Sequence, residues 1–397
     1  MTPEPRAVSV DIAEFIGNPY KIFAQLRREA PVCRLDPLGF WAISGFDEVV
    51  HVLKNPKLFS NSGYANALPP HLRVDSNKYP LSIVHSDPPY HTRLRRMVLR
   101  EFNPRVAEQM QPRIEQVCRQ LIDQIADKAE FELIRDITVP LPVIVIAEML
   151  GIDTERRDEF KMWCDELVNS LSFSGFPDPV RLDQIMGQLY TYFNGVIEDR
   201  RREPRADLIS KLVHMQGDDA QMTTPELSSF ALTLLIAGNE TTTALIGNTL
   251  AALTENPEQF ERVRADLSLI PQLIEEVLRY YSPPHAVLRQ ATQDAEVAGQ
   301  VIPKDAVILP LIGSANRDDR KFPNGDAFDI SRDPKGHIAF GADIHACLGS
   351  ALARVEARCI LTEMFTRLPN MRAKDPNLQW LPSLQMRALQ RLEMLTH

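Results

Sequence analysis

Phe340-Gly341-Ala342-Asp343-Ile344-His345-Ala346-Cys347-Leu348-Gly349 forms a loop that delivers one cysteine to the start of a helix predicted over 349–366. A thiolate at Cys347 lies close to that helix's N-terminus, where the dipole and the free N–H groups favour negative charge and lower a thiol pKa. Such a sulfur is a good anionic metal ligand. Taken alone, the residue is more often just a buried free cysteine.

The chain has 397 residues, a net charge of −9 and 44% hydrophobic residues, enough for one large globular body or two domains. No Gly/Ser linker or low-complexity tract divides it, so a single domain over 1–397 is expected. Met1-Thr2-Pro3-Glu4-Pro5-Arg6 carries neither the apolar core of a secretory signal nor a membrane anchor, which points to a soluble cytoplasmic protein with no membrane contact. Cys33, Cys118, Cys164, Cys347 and Cys359 are odd in number and irregularly spaced, against a disulfide framework. A zinc site from His337, His345, Cys347 and Cys359 lacks any Cys-x-x-Cys pair. The acidic balance argues against nucleic acid.

Along the chain, helices are predicted over 20–29 and 46–53, with a small hairpin at Val32 and Phe40 to Ile43 around Gly39. A long Pro/Asn/Ser-rich loop follows over 60–86. Asp87-Pro88-Pro89 opens a helix on which His91 and Arg95, at i and i+4, share a face. Alone they read as a solvated pair. Amphipathic helices are expected over 105–128, 141–151, 154–171 and 180–203, the last two joined by a Gly/Pro-broken link at 172–179 that reads as a mobile lid or an ordinary connector. Thr224 and Pro225 open a roughly 30-residue helix, apolar on nearly every side from Phe230 to Ala237. Gly238-Asn239-Glu240-Thr241-Thr242-Thr243 then interrupts it, since threonine hydroxyls bond the carbonyl four residues back and distort a helix. Short strands end the chain.

The cysteine loop resembles the haem-binding signature of the cytochrome P-450 family, Phe-Gly-x-Gly-x-His-x-Cys-x-Gly, with Asp343 where the family usually has glycine. The resemblance covers nearly the whole chain, from Phe46 to Leu392. It implies a mainly helical fold with a small β region near 30–60 and 289–310, and haem b held between the long central helix and the helix after the cysteine. By it, Cys347 is the axial iron ligand, and Phe340, Gly341, Gly349 and Ala353 border the macrocycle. His91, Arg95, Arg289 and His345 reach its propionates. Ala237-Gly238-Asn239-Glu240-Thr241-Thr242 matches the family's oxygen-activation motif. Ala237 then leaves room over the iron, Thr241 contacts the bound dioxygen and Glu240 relays protons. Glu276 and Arg279, at i and i+3, match a buried pair that Arg332 joins as a structural ion network.

Candidate cavity residues are Leu81, Val84, Thr233, Ile236, Ala237, His285, Val287 and Met386, mostly apolar. His285 reads three ways: a satisfied buried histidine, a substrate partner, or a distal iron ligand. The resemblance implies a soluble bacterial-type monooxygenase that oxidises a hydrophobic small molecule, such as a terpenoid, steroid, fatty acyl or macrolide skeleton, in secondary metabolism. Electrons come from a ferredoxin, or a flavodoxin, and its reductase, docking where Arg100, Arg113, Arg354 and Arg358 form a basic patch. A peroxide-using haem-thiolate enzyme and a non-catalytic haem sensor are the alternatives.

Overall fold

The short runs around Gly39 do close into a hairpin, with Gly39 in the left-handed region at φ +72°. Strands β1 (Ala7–Ser9), β2 (Val32–Asp36), β3 (Phe40–Ile43), β4 (Phe59–Ser60), β5 (Arg289–Ala291) and β6 (Val307–Pro310) make one sheet in the order β1-β2-β3-β6-β5-β4. β2 and β3 pair antiparallel with Val32 opposite Ile43, and β3 runs parallel to β6 with Trp41 opposite Ile308. Three smaller sheets complete the β portion among the described residues, one of them Gln379–Trp380 with Leu389–Arg391 near the C-terminus. The computed structural model describes residues 6–63, 79–80, 82–152, 162–163, 179–215 and 221–397. Leu81, Cys164, most of the helix expected over 154–171 and the link at 172–178 lie outside the described residues.

Six helices build the site: α1 (Tyr90–Val98), α2 (Pro104–Asp123), α3 (Pro140–Met149), α4 (Thr224–Glu255), α5 (Ile270–Tyr280) and α6 (Ser350–Arg367). Mainly helical with a small β region, the fold matches the expectation. α4 begins one residue earlier than predicted, because Thr223 rather than Thr224 is its N-cap. The Thr223 side chain accepts from the Glu226 N–H while the Glu226 carboxylate accepts from the Thr223 N–H. The expected interruption at 238–243 is absent, and α4 continues unbroken for 32 residues. Gly238 lets α3 approach, since a Cβ there would stand 2.3 Å from Ile146 Cδ1. The Thr243 hydroxyl spans to the Thr138 carbonyl at 2.7 Å.

α4 is long and apolar enough to cross a bilayer by length and composition. Here it is a core helix, packed on α3, α5 and α6. One apolar cluster joins α2, α5, α6 and the second half of α4, with Ile114, Leu250, Val277 and Ile360 at its centre. A second cluster lies under α1, α3 and the first half of α4, around Leu94, Ile146 and Phe230. Along the face of α4 from Phe230 to Leu245 the chain leaves a cavity.

The Glu276–Arg279 ion pair at the end of α5 is wholly enclosed. Arg279, with no solvent exposure, uses all five of its N–H donors: Nε and Nη2 on the Glu276 carboxylate (2.8 and 2.7 Å), Nη1 on the carbonyls of Asn316 (2.9 Å) and Gly325 (2.7 Å), and Nη2 on that of Ala327 (2.9 Å). Arg332 stands 3.5 Å from Glu276 and donates to the carbonyls of Pro323 and Asn324. These bonds tie α5 to the segment that leads into the cysteine loop.

Candidate active site

The cysteine loop is shaped by two left-handed residues, Gly341 (φ +73°) and Asp343 (φ +56°). Asp343 occupies a conformation that glycine takes freely and that aspartate tolerates better than most residues, and its side chain is exposed. The Cys347 N–H donates to the Phe340 carbonyl at 2.7 Å and the Ala346 N–H to the Asp343 carbonyl at 3.0 Å, closing the loop on itself. Gly349 caps α6, and the N–H groups of Gly349 and Ser350 bond the Cys347 sulfur. Cys347 is exposed toward the cavity that it lines. Burial pushes its thiol up, opposed by the two N–H groups and by the charges of Arg95 and Arg354. The lowered thiol pKa expected at the helix start is therefore overturned by desolvation in the free protein, and a bound cation at the sulfur would reverse the balance.

Across the cavity lie Thr233, Ala237 and Thr241, one stripe of α4 at i, i+4 and i+8. The Thr241 hydroxyl donates to the Ala237 carbonyl at 2.6 Å, and that of Thr233 to the Ser229 carbonyl at 2.7 Å. Both oxygens keep acceptor capacity toward the cavity. Glu240 is half-buried beside the stripe and is not a wall residue. Burial pushes its carboxyl up, and it makes no hydrogen bond among the described residues.

At one edge of the cavity α1 brings His91 and Arg95 against His345. The His91 and His345 rings are 4.1 Å apart. Arg95 Nη2 donates to the Ala346 carbonyl at 2.5 Å, and Arg289, at the start of β5, donates Nη1 to the Leu288 carbonyl at 2.7 Å. Asp87 pins the entry of α1 to β4 by accepting from the Ser60 and Ser62 hydroxyls and the Asn61 N–H. Both ring nitrogens of the buried His91, and Nε2 of His345, have no hydrogen-bond partner among the described residues. Burial lowers both imidazoles, His345 to about 3 with the His91, Arg289 and Arg95 charges adding to it, so both stand neutral at pH 7. Unpartnered imidazole nitrogens between two guanidinium groups fit an anionic, acceptor-rich edge of a ligand, while the apolar walls beyond fit its body. A haem, with propionates on one edge and an iron to face Cys347, satisfies both requirements.

Phe340, Gly341, Gly349, Ala353, Val84 and Val287 line the same cavity. Three expected wall residues do not. Ile236, about 100° around α4 from Ala237, packs on the second apolar cluster. Met386 pairs across an isolated bridge with Pro284, and its neighbour Gln385 reaches the cavity instead. His285 turns away: its Nε2 meets the Leu384 carbonyl at 3.1 Å and its ring packs on Phe23 at 5.9 Å. Of the three readings, the structure places His285 as a buried histidine. Burial, with the Arg387 charge, lowers its pKa to about 4.

The sequence reading missed His85, Gln385 and Glu356 on the cavity wall. Glu356 is buried with Oε2 unpartnered, and burial pushes its carboxyl up to about 8. Its spacing from Ala353, within one turn of α6, was the available signal. The expected basic patch is largely spent internally. Arg113 chelates Glu148, Arg354 chelates Glu275, and Arg358 donates to Gln111, whereas Arg100 is exposed with no ion pair among the described residues.

Residues 8–371 match the family model described as Cytochrome P-450. The chain is 36% identical over 389 residues to 6-deoxyerythronolide B hydroxylase of Saccharopolyspora erythraea, covering 94% of this chain and 95% of that one. The structure of CYP109Q5 from Chondromyces apiculatus superposes with a TM-score of 0.91 at 46% identity, covering 98% of both chains. That of CYP109E1 from Bacillus megaterium in complex with testosterone superposes with a TM-score of 0.85 at 33% identity, covering 96% of this chain and 99% of that one.

Proposed function

Because this chain belongs to the cytochrome P-450 family of monooxygenases, we propose that it holds haem b on Cys347 and hydroxylates an apolar small molecule lodged between α4 and the loop 339–349. The observation that carries this reading is the placement of the Cys347 sulfur and the Ala237–Thr241 stripe on opposite walls of one cavity whose edge carries unpartnered imidazoles. When bound, the haem supplies the activation of dioxygen, with two electrons and two protons, so that one oxygen atom enters a C–H bond and the other leaves as water.

The chain's own groups do the rest. Cys347 supplies an anionic sulfur held by two backbone N–H groups, and Phe340 walls it off from water. His91, His345, Arg95 and Arg289 would hold the propionate edge of the bound haem. The Thr241 hydroxyl, resting on the Ala237 carbonyl, would accept or donate a proton at Oγ1 toward the cavity. Glu240, its carboxyl raised by burial, holds a proton more readily than an exposed carboxylate and passes it inward. Val84, Val287 and the face of α4 exclude water and orient the substrate. Similarity to a macrolactone hydroxylase and to a steroid-binding neighbour supports a rigid polycyclic or macrocyclic skeleton. For electron delivery we propose a ferredoxin or flavodoxin with its reductase, meeting the Cys347 side where Arg100 is exposed.

The test is the carbon monoxide difference spectrum of the reduced protein beside Cys347→Ser. A strongly red-shifted Soret band that the substitution removes is expected. Haem without that band in the native chain would overturn the thiolate assignment, and no haem would overturn the whole reading. Spin-state titration with steroids and macrolactones then sorts the substrate.

A further inference from the structure

Beside the cysteine loop, and not on the cavity wall, lies a charged cluster that the proposed reaction does not use. Glu275, on α5, accepts from Arg354 at both oxygens, Nε to Oε1 at 2.5 Å and Nη2 to Oε2 at 2.9 Å, and also from His337 Nε2 at 3.0 Å. The Ala339 N–H donates to His337 Nδ1 at 3.2 Å, so His337 meets Glu275 through its Nε2–H. Arg354 is the guanidinium bonded to this carboxylate among the described residues. Its guanidinium carbon lies 4.5 Å from the centre of the Phe340 ring, whose carbonyl holds the Cys347 N–H. Across that ring its charge favours the thiolate form of Cys347. Burial would raise Glu275, yet its two partners hold it down at about 2, so the carboxylate stays charged through the working pH range.

We propose that Arg354 and Glu275 are a matched pair of tuning charges for the bound cofactor, Arg354 raising and Glu275 lowering its reduction potential through the Phe340 and Cys347 contacts. The sign follows from charge alone. One-electron reduction of ferric to ferrous iron adds a negative charge to the site without making or breaking a covalent bond, so a nearby cation favours the reduced form and a nearby anion opposes it. Arg354 is only partly exposed and is locked by a bidentate contact, so its charge is less screened than that of a free surface arginine. The same lock makes it a poor docking cation for a redox partner.

This inference rests on the haem-thiolate reading, and its test separates the two. The haem-loaded native chain, Glu275→Gln, Arg354→Gln and Arg354→Lys are titrated with dithionite through redox mediators and followed at the Soret band, after each is checked for the thiolate signature under carbon monoxide. At an ambient potential where the native protein is half reduced, Glu275→Gln is expected to stand near 3:1 ferrous to ferric and Arg354→Gln near 1:3. These correspond to shifts of about 28 mV up and down, at about 59 mV per tenfold for one electron. Arg354→Lys keeps the charge and should stay closer to native than Arg354→Gln. A purely structural brace would move both substitutions the same way, or neither, and either result with the thiolate band retained overturns the proposal. If Arg354→Gln fails to load haem, an unshifted or lowered potential in Glu275→Gln overturns it by itself. A native protein without the thiolate band refutes the underlying reading instead.

Discussion

Arg279→Lys conserves charge and nearly conserves length, yet the structure predicts that it is among the most damaging single substitutions in the chain. The guanidinium is fully buried and its five N–H donors meet a carboxylate and three carbonyls. A lysine ammonium offers three donors from one point, so at least two of those contacts are lost. Each buried acceptor left unpaired costs about 1–3 kcal/mol, giving a destabilisation of about 2–6 kcal/mol. That is a large share of the 5–15 kcal/mol or so that stabilises a typical domain. Urea unfolding followed by far-ultraviolet circular dichroism measures it, as a lower midpoint at unchanged slope. Because the carbonyls of Asn316, Gly325 and Ala327 belong to the segment leading into the cysteine loop, haem transfer to apomyoglobin should also accelerate. A midpoint within the equivalent of about 0.5 kcal/mol of the native chain would refute the reasoning, since it would mean that the guanidinium geometry is irrelevant.

Replacing Glu276 by Gln leaves Arg279 without its counter-charge and should cost about 3–5 kcal/mol by the same assay. Asp343→Val places a β-branched residue at φ +56° and is expected to lose about 1–2 kcal/mol, whereas Asp343→Asn and Asp343→Gly should stay close to native in thermal unfolding. His285 has a pKa near 4 in the fold against about 6.5 unfolded, so the unfolded chain binds more protons between those values and stability falls as pH drops through that window. The full effect is on the order of 3 kcal/mol at about pH 4, and denaturation midpoints of His285→Gln between pH 7 and 4 should show a flatter acid limb than the native chain. Glu240→Gln removes the inward proton source and should cut product formation on the order of a hundredfold while substrate-induced spin shifts persist, measured by turnover and titration side by side.

Much of the site was legible because its chemistry depends on residue type at fixed spacing. The loop around Cys347, the helical pairing of His91 with Arg95, and the small residue at Ala237 followed by Thr241 are all local patterns. The long apolar run of α4 announced a core helix. What spacing could not decide was direction. Ile236 and Ala237 are neighbours, but a helix turns about 100° per residue, and only the packing of α3 and α4 chooses which one faces the cavity. His285 and Val287 alternate as a strand would have them share a face. The chain does not run as a strand there, because the N–H groups of His285 and Ala286 both donate to the Gln385 carbonyl, at 2.8 and 3.2 Å. The same contact and the Pro284–Met386 bridge bring Gln385, not Met386, to the cavity.

The charges divide in the same way. The sequence by itself determined the family, the identity of the sulfur, the guanidinium and imidazole groups near it, and the mainly helical fold, because these rest on the covalent order of residues and on local periodicity. Tertiary structure alone decided that Arg113, Arg354 and Arg358 are bound by Glu148, Glu275 and Gln111, and that desolvation rather than the helix dipole governs the free Cys347 thiol. Electrostatic outcomes depend on distance and dielectric, and those exist only once segments far apart in the chain have packed together.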